Sequence, residues 1–210
     1  KVFYSSSACV YPESNQLDPN NPNCAEDTAW KGKCDSAYGV EKLFSEDLYL
    51  AFQRNYGLNV KIARYHNVYG IEGAWNNGKE KSPAAICRKV AEAKNNSEIE
   101  IWGPGSQTRS YMYYTDCVES TLKLMDHPTF SGPVNLGSEE MISINDLAKM
   151  AIQISGKNLS IKNIPGPLGV MGRRSDNKLC KEMLDWEPKV SLRSGIEKTY
   201  KWIEEQVKKQ

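Results

Sequence analysis

Hydrophobic positions along the chain fall into short continuous runs and longer stretches spaced by three and four, the two signatures of strands and helices. Val2 to Ser6 is a brief apolar run ending in serines, which predicts a buried parallel strand that stops at a site. From Ser36 to Asn55 the apolar residues Val40, Leu43, Phe44, Leu48, Ala51 and Phe52 recur at three and four, with Glu41, Glu46 and Asp47 between them. Gly57 punctuates the end, so this is the clearest amphipathic helix. Residues 59–66 then alternate loosely around Val60 and Ile62 as a second strand. Strand, helix, strand in that order predicts a βαβ unit with a parallel sheet, and the fold class is α/β.

Between the first strand and the helix, residues 12–35 carry Pro12, Pro19, Pro22 and Gly32 among many Asn and Asp without periodicity, a long loop of the kind that usually serves function. Beyond residue 66 the elements are shorter. Ser82-Pro83 reads as a helix start leading into Ala84 to Ala93. Glu98 to Trp102 and Ser110 to Tyr114 read as strands flanking a Gly-Pro-Gly turn, and Thr115 as the cap of a helix carrying Val118, Leu122 and Met125. Pro133 to Leu136 and Leu159 to Ile164 are predicted strands. Ser143, with Asp146 three residues on, resembles a capping box; Ser175 is read as another cap, and Leu192 to Val207 as a closing charged amphipathic helix.

Composition narrows the function classes. The chain has 210 residues, room for one or two domains, and 27 basic residues against 26 acidic ones. That balance removes the electrostatic case for nucleic acid or an anionic membrane as the main partner. No apolar stretch approaches the ~20 residues of a membrane helix. Cys9, Cys24, Cys34, Cys87, Cys117 and Cys180 are scattered, with no C-x-x-C pair and only His66 and His127 beside them, so no structural metal site is expected. Free thiols in a chain long enough for a real core point to a reducing, cytoplasmic compartment.

The candidate chemistry starts with Tyr38 and Lys42, four residues apart on the first turn of the long helix and therefore on one face. A neighbouring cation favours a phenolate, the requirement for tyrosine as an acid/base near neutral pH. Tyrosine and lysine are frequent enough here that chance alone supplies such a spacing, so the surroundings must decide. Upstream, the strand ends in Ser5-Ser6-Ser7-Ala8-Cys9-Val10-Tyr11. A serine at the carboxyl end of a strand, followed by Tyr-x-x-x-Lys in the next helix, resembles the short-chain dehydrogenase/reductase superfamily. Tyr11-Pro12, Arg64 to Gly70, Arg109 to Tyr113 with Asp116, and Asn135 to Ser138 are similar to its extended branch, the NAD-dependent nucleotide-sugar epimerases and dehydratases. Where 4,6-dehydratases of that branch carry an Asp-Glu pair, this chain has Ala8 and Cys9. Ser5 to Tyr11, Glu80 to Lys89 and Gln107 to Ser110 most resemble the GDP-mannose 3,5-epimerases.

That resemblance implies a Rossmann-like parallel sheet and a smaller α/β substrate domain, divided as residues 1–66 and 67–210, with some later elements packing back on the sheet. It implies NAD as cofactor and epimerisation of GDP-mannose to GDP-L-galactose through a transient 4-ketone. Tyr38 would take the hydroxyl proton, with Lys42 beside it and on the nicotinamide ribose, and Ser7 would hold the same hydroxyl. Cys9 and Lys81 would be the base and acid that invert C3 and C5. Arg109 and Arg173 match diphosphate and nucleotide contacts, which suit the guanidinium fork. Ala8, Asn67, Glu80, Ser82, Lys89, Gln107 and Thr108 match further substrate contacts. Ser82 stands where alanine is expected and Arg174 where asparagine is.

The chain opens on Lys1-Val2-Phe3-Tyr4, and no Gly-x-x-Gly-x-x-Gly turn precedes Ser7. The expectation is therefore the C-terminal portion of such an enzyme, poor at binding NAD and inactive by itself. Its first long helix is expected to join a homodimer interface in the full-length protein. A UDP-sugar 4-epimerase and a non-catalytic nucleotide-sugar-binding homologue are the competing readings.

Overall fold

A computed structural model describes residues 1–210. β1 (Val2–Ser7), α1 (Ala37–Tyr56) and β2 (Val60–Tyr65) form the expected βαβ unit, β1 and β2 pairing in parallel from Val2 opposite Val60 to Ser7 opposite Tyr65. Ser36 caps α1 by accepting the Gly39 N–H at 3.2 Å, and Gly57 ends it in the left-handed region at φ 69°. The 12–35 segment is irregular apart from short 3-10 turns at Glu13–Gln16 and Glu26–Thr28.

Next come β3 (Val68–Tyr69), α2 (Ser82–Glu92), β4 (Ser97–Trp102), β5 (Thr108–Ser110), β6 (Met112–Tyr113) and α3 (Tyr114–Asp126). The chain finishes with β7 (Val134–Leu136), β8 (Met141–Ser143), α4 (Ile144–Ser155), β9 (Leu159–Ile164), β10 (Gly172–Arg173), α5 (Lys178–Leu184) and α6 (Leu192–Lys208). β7 joins the first sheet in parallel, giving the order β1-β2-β7 with β1 at an edge. A second sheet runs β10-β5-β8, and two parallel pairs, β3-β6 and β4-β9, complete the pairing.

Three apolar clusters hold these layers together. The largest packs α2, α4 and α6 around Val90, Leu147, Ile196 and Ile203, all fully buried. A second joins Ala63, Met112, Leu124, Val134, Leu136 and Cys180, so α3, β7 and α5 pack back on the β1-β2-β7 sheet. The third, around Val10, Tyr11, Cys24, Cys34 and Leu43, underlies the first turn of α1.

Several expectations from the sequence need correction. Lys81 is the N-cap of α2 and Ser82 its first residue, and the Ser82 side chain makes no cap bond. The strand expected at 110–114 is two strands in different sheets, split at Tyr111, while Tyr113 rather than Thr115 precedes α3. Asn177, not Ser175, stands before α5. The two helical faces also differ from the pattern. In α1 the inner face is Gly39, Leu43 and Glu46, and Val40, Phe44, Leu48 and Phe52 point outward. In α3, Val118 and Leu122 are exposed whereas Asp116 and Ser120 are buried. In both helices a polar residue reaches the interior because it finds a partner there. Asp116 accepts the backbone N–H groups of Lys189 at 3.0 Å and Val190 at 2.9 Å.

Candidate active site

At the carboxyl end of β1, the Ser7 hydroxyl accepts the Cys9 backbone N–H at 3.2 Å and caps the 3-10 turn Ala8–Val10. This turn leads the chain away from the sheet and buries Ala8 and Val10, leaving the Ser7 and Cys9 side chains half-buried on a hollow. Gly39 packs against the backbone of this turn. A Cβ there would lie 2.0 Å from the Cys9 carbonyl oxygen, so only glycine lets α1 come this close. The residue before it, Tyr38, thereby faces the same hollow, which measures about 330 Å³. Lys81, from the cap of α2, Asn67, from the turn after β2, and Arg173 complete its wall.

Lys42 stands behind Tyr38. Its ammonium donates to the Ser5 carbonyl at 3.0 Å and lies 5.4 Å from the Tyr38 ring centroid. Asn67 adopts φ 32° and donates to the Ser110 carbonyl at 3.2 Å, which ties the β2 end to β5.

A second hollow of about 230 Å³ gathers Glu80, Ser82, Lys89, Gln107 and Arg109, with Trp102 and Leu168 as apolar walls. The Arg109 guanidinium is held only by carbonyls: Val170 at 2.6 Å, Thr108 at 2.7 Å and Met171 at 3.4 Å. Burial lowers its pKa from the ordinary arginine value, and the nearby Arg173 pushes the same way. Lys89 donates to the Glu100 carbonyl at 2.7 Å, and burial likewise lowers its pKa. Two buried acceptors have no donor, Glu80 Oε2 and Gln107 Oε1. Thr108 lies outside both hollows, with its hydroxyl turned to the Pro19 carbonyl.

The profile of the NAD dependent epimerase/dehydratase family matches residues 1–137. The chain belongs to this family. As a family member it is 45% identical over its whole length to GDP-mannose 3,5-epimerase of Arabidopsis thaliana, covering 55% of that protein. It is 44% identical to GDP-mannose 3,5-epimerase 1 of Oryza sativa subsp. indica, covering 54% of it. The chain thus spans about half the length of the curated relatives it matches. Among solved structures, UDP-glucose 4-epimerase from Thermotoga maritima superposes with a TM-score of 0.83 at 28% identity, over 98% of this chain and 63% of that one. UDP-glucuronic acid 4-epimerase from Bacillus cereus, in complex with UDP-glucuronic acid and NAD, gives 0.80 at 27%, over 97% of this chain and 61% of that one.

The family's Gly-rich dinucleotide turn has no counterpart between a strand and a helix in these 210 residues. Gly166, Gly169 and Gly172 have its spacing but connect β9 to β10. Sequence reasoning gave no role to the residues behind the hollow: the buried Gln16, Glu46 and Arg64 and the half-buried Asp35. For Glu46 a signal existed, since it follows Gly39 and Leu43 at helical spacing on the inner face. Gln16 and Asp35 sit in aperiodic loop and carried none.

Proposed function

We propose that the chain carries the substrate-binding and proton-transfer residues of an NAD-dependent nucleotide-sugar epimerase that converts GDP-mannose to GDP-L-galactose. One observation carries the reading: the Cys9 thiol shares a hexose-sized hollow with Ser7, Tyr38 and Lys81. A dehydratase would need carboxylates where Ala8 and Cys9 stand, and a simple 4-epimerase has no use for a thiol there.

Tyr38 and Lys42 fit the nicotinamide-ribose end of the cofactor. They lie beside the unpaired edge of β1, Tyr38 being half exposed and the Lys42 ammonium using only one of its donors. NAD, when bound, supplies the two-electron acceptor that makes a ketone at C4 possible. Tyr38 Oη receives the proton of the sugar 4-hydroxyl, and Ser7 Oγ orients that hydroxyl. A carbonyl at C4 makes the hydrogens on C3 and C5 acidic. Cys9 Sγ and Lys81 Nζ then remove and return protons at those carbons.

The second hollow suits the nucleotide. Arg109 offers a half-buried cation without a carboxylate among its hydrogen-bond partners, a match for a diphosphate. The donorless Glu80 and Gln107 oxygens suit the N–H edge of guanine, with Trp102 and Leu168 against its ring. In this reading residues 1–66 lie on the cofactor side and residues 67–210 mainly on the substrate side. The protein works in the cytoplasm as a homodimer, with a second copy covering the outward apolar stripe of α1. No helix is long and apolar enough to cross a membrane.

A UDP-sugar 4-epimerase is the second reading, favoured by the structural likeness to two such enzymes. Calorimetric titration of the chain with GDP-mannose and with UDP-glucose decides. The expected result is GDP-mannose bound at least about tenfold tighter, since about 1.4 kcal/mol is one hydrogen-bonded donor's worth. Tighter binding of UDP-glucose would overturn the first reading in favour of the second.

A further inference from the structure

We propose that Arg173 is a positioning residue for Cys9, its clamped guanidinium fixing the sulfur in the hollow and setting a positive charge against it. Arg173 Nη1 donates to Cys9 Sγ at 3.5 Å. The rest of the guanidinium is clamped: Nε donates to Gln16 Oε1 at 2.6 Å, Gln16 itself being fully buried, and Nη2 forms an ion pair with Asp35. A guanidinium fork without a carboxylate partner is the better placed to receive a diphosphate. Arg109, the register partner of Arg173 directly across the β10-β5 pair, has such a fork, whereas Arg173 spends its donors on protein groups. The two adjacent cations therefore divide the work, Arg109 toward the anionic ligand and Arg173 toward the sulfur.

Asp35 offsets part of the charge, and its place on the far nitrogen leaves the Nη1 end to the thiol. Burial alone would depress the Arg173 pKa, yet it stays raised because Cys9 and Asp35 face it. From the other elements around the sulfur come Lys81 before α2, Tyr38 on α1, Tyr65 on β2, Cys117 on α3, and the Cys34 thiol beneath. Lys81, the other cation, is exposed, so its charge is screened by solvent; Arg173 is buried and its charge is screened less.

The proposal rests on Cys9 as a proton-transfer group, but it is tested without turnover. The 210-residue chain is alkylated with iodoacetamide from neutral to alkaline pH, and each cysteine peptide is followed by mass spectrometry. Arg173→Gln is expected to slow Cys9 alkylation about tenfold near pH 7. Arg173→Lys, which keeps the charge, should recover part of the rate. Asp35→Asn, which removes the offsetting carboxylate, should raise it, and this variant carries the test if Arg173→Gln does not fold. Cys117 lines the same hollow and serves as the internal control. An unchanged Cys9 alkylation rate in folded Arg173→Gln, or no acceleration in Asp35→Asn, overturns the proposal. So does an equal change at Cys117, which marks a merely structural effect. Failure here leaves the nucleotide-sugar reading standing, because that reading is decided by the titration.

Discussion

Replacing Glu46 with glutamine tests the polar bond that fixes α1 to the sheet. Glu46 is 2% exposed and accepts from Arg64 Nε at 3.0 Å and Nη2 at 2.6 Å, while Arg64 on β2 is 1% exposed. Ser6 donates to the same carboxylate, so one side chain joins α1, β1 and β2 directly beneath Ser7. Glutamine keeps the shape and removes the charge. The guanidinium would then remain buried with the Tyr11 hydroxyl at 3.3 Å and the Glu26 carbonyl at 2.8 Å as its other acceptors. Breaking a buried ion pair from one side costs about 3–5 kcal/mol, against a total stability of about 5–15 kcal/mol for a domain. With a urea slope of about 2 kcal/mol per molar, the unfolding midpoint should fall by about 2 M. The assay is urea titration followed by far-ultraviolet circular dichroism. Replacing both residues by methionine should recover most of the loss, because no unpaired charge is left inside. A midpoint shift below about 0.5 M, or a double variant no better than Glu46→Gln, would refute the reasoning.

Two further outcomes follow from the structure. His66 is fully buried, shares a 2.9 Å hydrogen bond with Asn135 and has an unpartnered Nδ1; burial first of all pulls its pKa down to about 3. In the unfolded chain it takes up a proton near pH ~6.5, so the native state loses stability as pH falls from there toward about 3, by at most about 1.4 kcal/mol per pH unit. Urea titrations across that window should show a flatter decline in His66→Gln, and an identical decline would contradict the buried neutral imidazole. For α1, sedimentation velocity should find the chain dimeric and the Phe44→Glu, Phe52→Glu variant monomeric, since both rings lie on its outward face. A sedimentation coefficient that these charges leave unchanged would remove α1 from the interface.

Much of the local structure was written in adjacent residues. Ser36 and Gly57 bound α1, Ser143 caps α4 by accepting the Asp146 N–H at 3.0 Å, and β1 and β2 pair as the βαβ pattern requires. The candidate site residues came instead from the resemblance to a known family, and what the fold adds is that Ser7, Cys9, Tyr38 and Lys81 line one hollow. What periodicity cannot say is which neighbour a helical face meets. The apolar stripe of α1 turns outward because Gly39 must press on Cys9 and Glu46 must reach Arg64, eighteen residues away in sequence. Likewise no spacing in the sequence shows that Arg173 meets Gln16, Asp35 and Cys9, which come from distant parts of the chain. Buried charges are satisfied by long-range partners, and the choice of partner belongs to the tertiary structure.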